Sequence, residues 1–188
     1  MAEDREDTGA AIDGIGRVRL GAVLALAAAA VFVGWLLLKG DDDGATAKKT
    51  VEAASVKDLE ALPASVGHPV YWAGTRAGFT YELTETPEGN VYIRYLPPGV
   101  KVGDRRPDFL TVGTYPYQQA IATARSQAKR PGAFNRAIAG HGIAYSLPKN
   151  QKSVYFAYPR LDYLYEVYDP APQRARRLVL SGRVRPIG

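Results

Sequence analysis

Two strand glutamates are the residues of this sequence best suited to acid–base chemistry. Glu82 and Glu166 each alternate with aromatic residues in segments that have the period of a β-strand. Two carboxyl groups about 5 to 10 Å apart across a cleft can hydrolyse a glycosidic bond. The pair therefore defines a hydrolase hypothesis. A strand glutamate more commonly faces solvent, and we assign no catalytic residue.

Other catalytic chemistry lacks the residues that it requires. The chain has no cysteine, which excludes disulfides, thiolate metal sites and cysteine nucleophiles, and its two histidines make a histidine-rich metal site improbable. No serine lies in a G-x-S-x-G motif. His141 lies between two glycines and is expected in a hairpin turn with a structural role. We predict no metal and no cofactor.

Aromatic and basic residues offer binding chemistry instead. Tyrosine rings beside cationic side chains can stack on sugars or bases and make cation–π contacts. The candidate ligand-binding residues are Tyr92, Arg94, Arg105, Arg106, Tyr155, Arg174, Arg176 and Arg177. Because strand residues alternate in facing, one tyrosine-bearing face of the sheet is expected to remain open.

Charge divides the chain into two parts. Residues 1–67 hold seven Lys/Arg against eleven Asp/Glu, a net charge of −4, whereas residues 68–188 hold seventeen against eight, a net charge of +9. All 12 tyrosines lie at or after Tyr71. A small domain with this surplus favours anionic partners, although solubility alone accounts for it equally well.

Residues 20–38 predict a membrane-spanning helix. The run LGAVLALAAAAVFVGWLLL has no charged residue, and nineteen helical residues reach about 28 Å, enough to cross a hydrocarbon core. Arg17 and Arg19 adjoin its start, which favours a cytoplasmic tail (residues 1–19) and an extracytoplasmic domain. The alternative is a signal peptide cleaved after Ala47.

The remaining pattern predicts an α+β domain at residues 68–188, after a linker at residues 39–67 that contains a short helix capped by Ser55 and stopped by Pro63. Period-two segments predict antiparallel strands, and a helix is expected after Pro116 and another at residues 173–180. The order of elements suggests a duplicated ββββα unit, with strands near 70, 79, 91 and 109 matched to those near 133, 142, 154 and 163. Both helices would then pack on one face of the sheet.

Three segments resemble uncharacterised single-span proteins of high-GC Gram-positive bacteria. They are YLPPGVKVGD at 95–104, SVYFAYP at 153–159 and RRLVLSGRVRP at 176–186. The resemblance covers roughly residues 66 to 188. It implies a bacterial envelope setting and brings no activity or site residue.

These observations favour a membrane-anchored extracytoplasmic domain that binds an anionic polymer, lipid headgroups or an envelope protein. Two alternatives remain open. An inward-facing domain would bind nucleic acid through the basic residues of 173–180 and the tyrosine face. An envelope hydrolase would use Glu82 and Glu166 in a shared cleft.

Overall fold

An eight-stranded antiparallel sheet organises the fold in the computed structural model, which describes residues 50–188. Its strands are β1 (Thr50–Ala54), β3 (Thr80–Glu85), β4 (Val91–Leu96), β5 (Thr111–Pro116), β6 (Phe134–Ile138), β7 (Gly142–Ser146), β8 (Ser153–Ala157) and β9 (Tyr163–Tyr168). They run in the order β1-β3-β4-β5-β9-β8-β7-β6. The shorter β2 (Tyr71–Trp72) pairs with β10 (Arg185–Pro186). The predicted α+β class with an antiparallel sheet is confirmed.

Three helices cover the two faces of the sheet: α1 (Val56–Val66), α2 (Ala120–Ala128) and α3 (Pro172–Leu180). Strand alternation separates the buried residues into two apolar clusters. The α1/α3 face carries one row of aliphatic residues in register, namely Leu83, Ile93, Val112, Val167 and Val154. The α2 face carries the adjacent row, namely Thr84, Tyr92, Gly113, Glu166 and Tyr155.

The folded unit begins before the predicted boundary at residue 68. Strand β1 pairs with β3, and α1 buries Leu59 and Leu62 in the core, which contributes about 1.5 to 3 kcal/mol for each leucine. Sequence reasoning missed β1 because four of its five side chains are exposed. Backbone pairing with β3 and the buried Ala54 hold the strand in place. Ser55 does cap α1, through a capping box with Asp58.

Proline positions explain two further differences from the predicted elements. The first helix does not stop at Pro63, which lies inside α1, and it ends at Gly67 in the left-handed conformation with φ 72°. Pro116 does not open a helix, because it is the last residue of β5. Helix α2 starts at Ala120 after Gln119, whose backbone N–H donates to the Asp162 carboxylate at 3.0 Å.

The two later helices pack on opposite faces of the sheet, so the predicted common face is wrong. Helix α2 places Ala120, Ala124 and Ala128 against the tyrosines of one face, and α3 packs Leu178 and Val179 in the other cluster. The physical reason is that the central strands carry buried side chains on both sides, apolar on one and tyrosines with Glu166 on the other, and each side needs a cover.

The proposed ββββα repeat is also altered at its first strand. Strand β2, near residue 70, lies outside the large sheet, and β1 occupies the edge position that corresponds to β6 in the second half. If the two halves were copies, a half-turn about an axis perpendicular to the sheet would superpose β5 on its antiparallel neighbour β9. Such a rotation does not exchange the two faces of the sheet, so it would place both helices on the same face. The two halves are therefore not equivalent when the helices are included.

The predicted span at residues 20–38 lies outside the described residues. Within residues 50–188, no helix combines the length and the apolar composition needed to cross a membrane.

Candidate functional site

Glu166 occupies the centre of the α2 face. It lies on β9 directly opposite Gly113 of β5 on one side and Tyr155 of β8 on the other. Only 5% of the Glu166 surface is exposed. A carboxyl group at such a depth requires hydrogen-bond partners, and the neighbouring hydroxyl groups supply them.

Tyr115 is the principal partner of Glu166. Its phenolic hydroxyl donates to Glu166 Oε2 at 2.5 Å. The Tyr115 ring packs over Gly113, two residues earlier on the same strand, and so brings its hydroxyl to the carboxyl group. A Cβ atom at position 113 would lie 2.7 Å from the Tyr115 hydroxyl oxygen, so glycine is required there for close approach.

Burial raises the pKa of Glu166 above its ordinary value of 4.5, although hydrogen bonds from Ser153, Tyr115 and Tyr155 act in the opposite direction. The pKa of Tyr115 is raised well above 10.0, first by burial and then by the adjacent Glu166. The pKa of Tyr155 is raised by the same two causes. The raised pKa values of Tyr115 and Tyr155 keep both phenols protonated, so that they can donate to Glu166.

A buried ion pair lies on the same face of the sheet. Arg94 Nη1 donates to Glu82 Oε1 at 2.5 Å, and the two side chains are 4% and 2% exposed. Arg94 Nη2 also donates to the carbonyl oxygens of Asp104 and Arg106, at 2.8 and 3.0 Å. The second oxygen of Glu82 accepts from the Gly103 amide at 2.6 Å. The pair thus anchors the loop of residues 97–110 to the sheet.

This loop closes one side of a narrow cleft, which we call the Glu166 cleft. The space open to the centre of a water molecule is about 20 Å³. The cleft is lined by Tyr92, Arg94, Arg106, Pro107, Phe109, Thr111, Gly113, Tyr115, Glu166 and Tyr168. Tyr168 ties the loop at a second point, because its hydroxyl donates to the Pro107 carbonyl at 2.6 Å. A space of this size has room for about one water molecule.

The structure brings four of the predicted binding residues to one region. Tyr92, Arg94 and Arg106 line the Glu166 cleft, and Tyr155 adjoins Glu166 on β8. Arg105 is exposed in the loop and is not among the lining residues.

The three predicted arginines of α3 lie on the opposite face of the sheet. Arg174 is 3.6 Å from the buried Asp169 carboxylate, and Arg176 stacks on Phe134 with its guanidinium carbon 4.5 Å from the ring centre. Arg177 is exposed and, within residues 50–188, has no ion-pair partner.

Two expectations about this face are wrong. Glu82 and Glu166 do not face solvent, and they lie three strands apart, about 14 Å at the usual strand spacing. Both oxygens of Glu82 are already occupied, so the two glutamates do not form a paired-carboxylate site.

The tyrosine face is not open either, because Tyr92 and Tyr155 are only 4% and 3% exposed. Helix α2 and the loop cover the rings.

Sequence reasoning missed several residues of the cleft, above all Gly113, Tyr115 and Tyr168. The glycine in the strand segment TVGTYP carried a usable signal, since an interior strand glycine often marks a close approach. Tyr168 and Phe109 gave no such signal, because only the fold of the loop brings them together. Within residues 50–188, no group of three or more His, Asp or Glu side chains could hold a metal ion.

Comparisons with protein-family models, with curated proteins and with solved structures find no significant match. The site must therefore be interpreted from its own geometry.

Proposed function

We propose that the chain is a membrane-anchored, extracytoplasmic binding domain that holds an anionic envelope component through the arginines of α3 and the segment that follows it. The observation that carries this proposal is the charge of the C-terminal stretch. Residues 170–188 contain five arginines and no Asp or Glu. Charge of one sign concentrated in a short segment attracts anionic polymers and headgroups.

The exposure of these arginines supports the same proposal. Arg174, Arg177, Arg183 and Arg185 are all exposed. Within the described chain, Arg177, Arg183 and Arg185 form no ion pair with an acidic side chain. An uncompensated guanidinium group can pair with a phosphate or carboxylate in bidentate geometry. Arg176 contributes less, because its stacking on Phe134 serves the fold.

Co-sedimentation of the full-length chain with phosphatidylglycerol vesicles and with anionic wall polymer tests the binding. Contacts of exposed charges are screened over about 10 Å at 0.1 M salt, so we expect retention to fall steeply across a salt series. Arg177→Gln combined with Arg183→Gln should reduce retention several-fold. Lys149→Gln combined with Lys152→Gln removes the same charge at exposed positions between β7 and β8 and is the matched control.

Equal retention of the two double variants, or retention that does not change with salt, would contradict the proposal. Replacing all three of Arg174, Arg176 and Arg177 by alanine is the stronger variant, but it also removes the ring contact and the Asp169 pairing.

Protease accessibility tests the orientation. Protease added to intact wall-stripped cells should degrade the domain and leave the N-terminal tail protected, because Arg17 and Arg19 adjoin the predicted span. A protected domain would place it in the cytoplasm and favour nucleic acid as the anionic partner.

A further inference from the structure

We propose that copies of this chain pair through the two edges of the large sheet, so that β1 of one copy adds to β6 of the next. Strands β1 and β6 end the sheet on its two sides, and within residues 50–188 no strand pairs with either outer edge. Four of the five β1 side chains and three of the five β6 side chains are exposed. An uncovered edge strand presents backbone groups to which another strand can add.

The direction of the strands permits this pairing. Every neighbouring pair in the eight-stranded sheet is antiparallel, so the two edge strands run in opposite directions. A second copy that continues the sheet with its α1/α3 face on the same side therefore presents β1 antiparallel to β6. The same faces then meet at the junction, and no strand has to be reversed.

The outward backbone groups of β1 belong to Val51 and Ala53. In an antiparallel pair, residues that exchange hydrogen bonds alternate along each strand with residues whose groups point the other way. The Thr86 N–H donates to the Asn90 carbonyl oxygen at 3.0 Å, which fixes this alternation in the hairpin of β3 and β4. Carried through the registers of β4, β3 and β1, it directs the backbone groups of Val51 and Ala53 away from the sheet.

The outward backbone groups of β6 belong to Asn135 and Ala137. Here the alternation is fixed by the Asp169 N–H, which donates to the Lys152 carbonyl oxygen at 3.0 Å, and it carries through β8 and β7 to β6. The Asn135 carbonyl oxygen accepts from Arg136 Nη1 at 2.8 Å, which occupies it in the absence of a strand partner. An added strand would replace this local bond.

One register satisfies the backbone and the charges together. It places Val51 opposite Ala137, which brings outward groups to outward groups and pairs all five residues of each strand. In this register Glu52 lies directly opposite Arg136. Both side chains are exposed, and within residues 50–188 neither forms an ion pair. Opposite charges at facing positions of neighbouring strands stabilise the pairing.

Glu52 and Arg136 also lie on the same face of the sheet. Glu52 is opposite Leu83 of β3, and Arg136 is opposite Ala144 of β7. Leu83 and Ala144 both belong to the cluster under α1 and α3. A shift of the register by one residue would move one of the two charges to the other face, so the proposed register is the one that joins them at full overlap.

The same charges oppose the pairing of either edge with itself. Two β1 strands at full overlap would set Glu52 against Glu52, and two β6 strands would set Arg136 against Arg136. Like charges at facing positions destabilise a strand pair. Proteins commonly use edge charges to prevent such association, but edges of opposite sign prevent only self-pairing. The resulting contact is heterologous and continues into an open row of copies.

Cross-linking of the full-length chain in mild detergent tests the contact. The chain has no cysteine, so every product comes from introduced thiols. Val51→Cys and Ala137→Cys chains are mixed and treated with a short bismaleimide, since facing Cβ atoms lie about 4.5 to 5.5 Å apart. We expect dimers from the mixture and few from either variant alone. In the matched control, Lys149→Cys, at an exposed position between β7 and β8, replaces Ala137→Cys.

Charge reversal tests the register within the same cysteine backgrounds. Glu52→Arg alone and Arg136→Glu alone each set like charges opposite one another, so we expect several-fold lower yields of the mixed dimer. Chains that carry both substitutions have opposite charges again at every contact, and the yield should recover. A general disturbance of the fold by either substitution would not be repaired by adding the other.

Four results would overturn the inference. They are a mixed yield no higher than that of the Lys149→Cys control, equal dimer formation by Val51→Cys or Ala137→Cys alone, no recovery in the doubly reversed chain, and, in cell envelopes, capture of a different protein by Ala137→Cys in place of a second copy. Loss of vesicle retention in the Arg177 and Arg183 variant leaves both edges intact, so the two proposals fail separately.

Discussion

Replacing Arg94 by methionine should destabilise the domain more than any exposed charge substitution. Arg94 makes three hydrogen bonds, to Glu82 at 2.5 Å and to two loop carbonyl oxygens at 2.8 and 3.0 Å. The substitution removes all three and leaves the Glu82 carboxylate, 2% exposed, with the Gly103 amide as its remaining partner. Breaking a buried pair from one side costs about 3 to 5 kcal/mol. That is a large share of a total stability of about 5 to 15 kcal/mol.

The assay is urea denaturation of the full-length chain, followed by near-ultraviolet circular dichroism of the buried tyrosines. The control is Arg106→Ala, because the Arg106 side chain is 59% exposed in its pair with Asp104. An exposed pair contributes about 0 to 1 kcal/mol. We therefore expect a large fall in the unfolding midpoint for Arg94→Met and a small one for Arg106→Ala.

A double variant tests whether the charges of Glu82 and Arg94 are energetically coupled. Glu82→Leu combined with Arg94→Met removes both charges, so no carboxylate remains buried without its cation. We expect the double variant to be more stable than the sum of the two single losses by about 2 kcal/mol or more. An Arg94→Met loss below about 1 kcal/mol, or strictly additive single losses, would refute the assignment of a buried, coupled pair.

Two further predictions concern the floor of the cleft. Gly113→Ala places a Cβ atom 2.7 Å from the Tyr115 hydroxyl oxygen and should cost about 1 to 3 kcal/mol through overpacking. Tyr115→Ala is itself destabilising, but in that background Gly113→Ala should cost less in urea denaturation, because the hydroxyl that it would meet is gone. Strict additivity of the two single losses would contradict the clash. Burial raises the pKa of Glu166 above 4.5. Between pH 4.5 and the raised pKa, the folded state therefore binds more protons than the unfolded state. The free energy of unfolding falls as pH rises through that window. The Glu166→Gln side chain cannot titrate, so the free energy of unfolding of this variant, measured in urea and compared with that of the native chain, should increase with pH. A difference that stays constant with pH would contradict the raised pKa.

Most elements of the domain followed from local sequence. The period-two segments near residues 79 and 91 predicted antiparallel strands, and the stretch after Pro116 predicted a helix. The structure contains the paired β3 and β4 and helix α2 at these places. Such signals are carried within a few residues, because strand and helix periods are properties of the backbone. The class of fold could therefore be predicted.

The position of Glu166 could not be predicted in the same way. Its segment YLYEVY shows alternation but does not indicate which face will be covered, and an uncovered face would have left the carboxyl group in solvent. Helix α2 and the loop of residues 97–110 come from distant parts of the chain, and their packing decides the burial. The edge strand β1 was missed for a related reason, since backbone pairing to β3 leaves little trace in its side chains.

Sequence by itself determined most of the strands and helices, the absence of cysteine chemistry and the charge of the C-terminal stretch, because these depend on residue type and local period. Tertiary structure alone decided that Arg94 is neutralised by Glu82, that α2 and α3 lie on opposite faces, and that Glu166 shares a cleft with Tyr115 and Arg106. Each of these depends on sheet register and on long-range closure, which bring together residues separated by 12 to 60 positions.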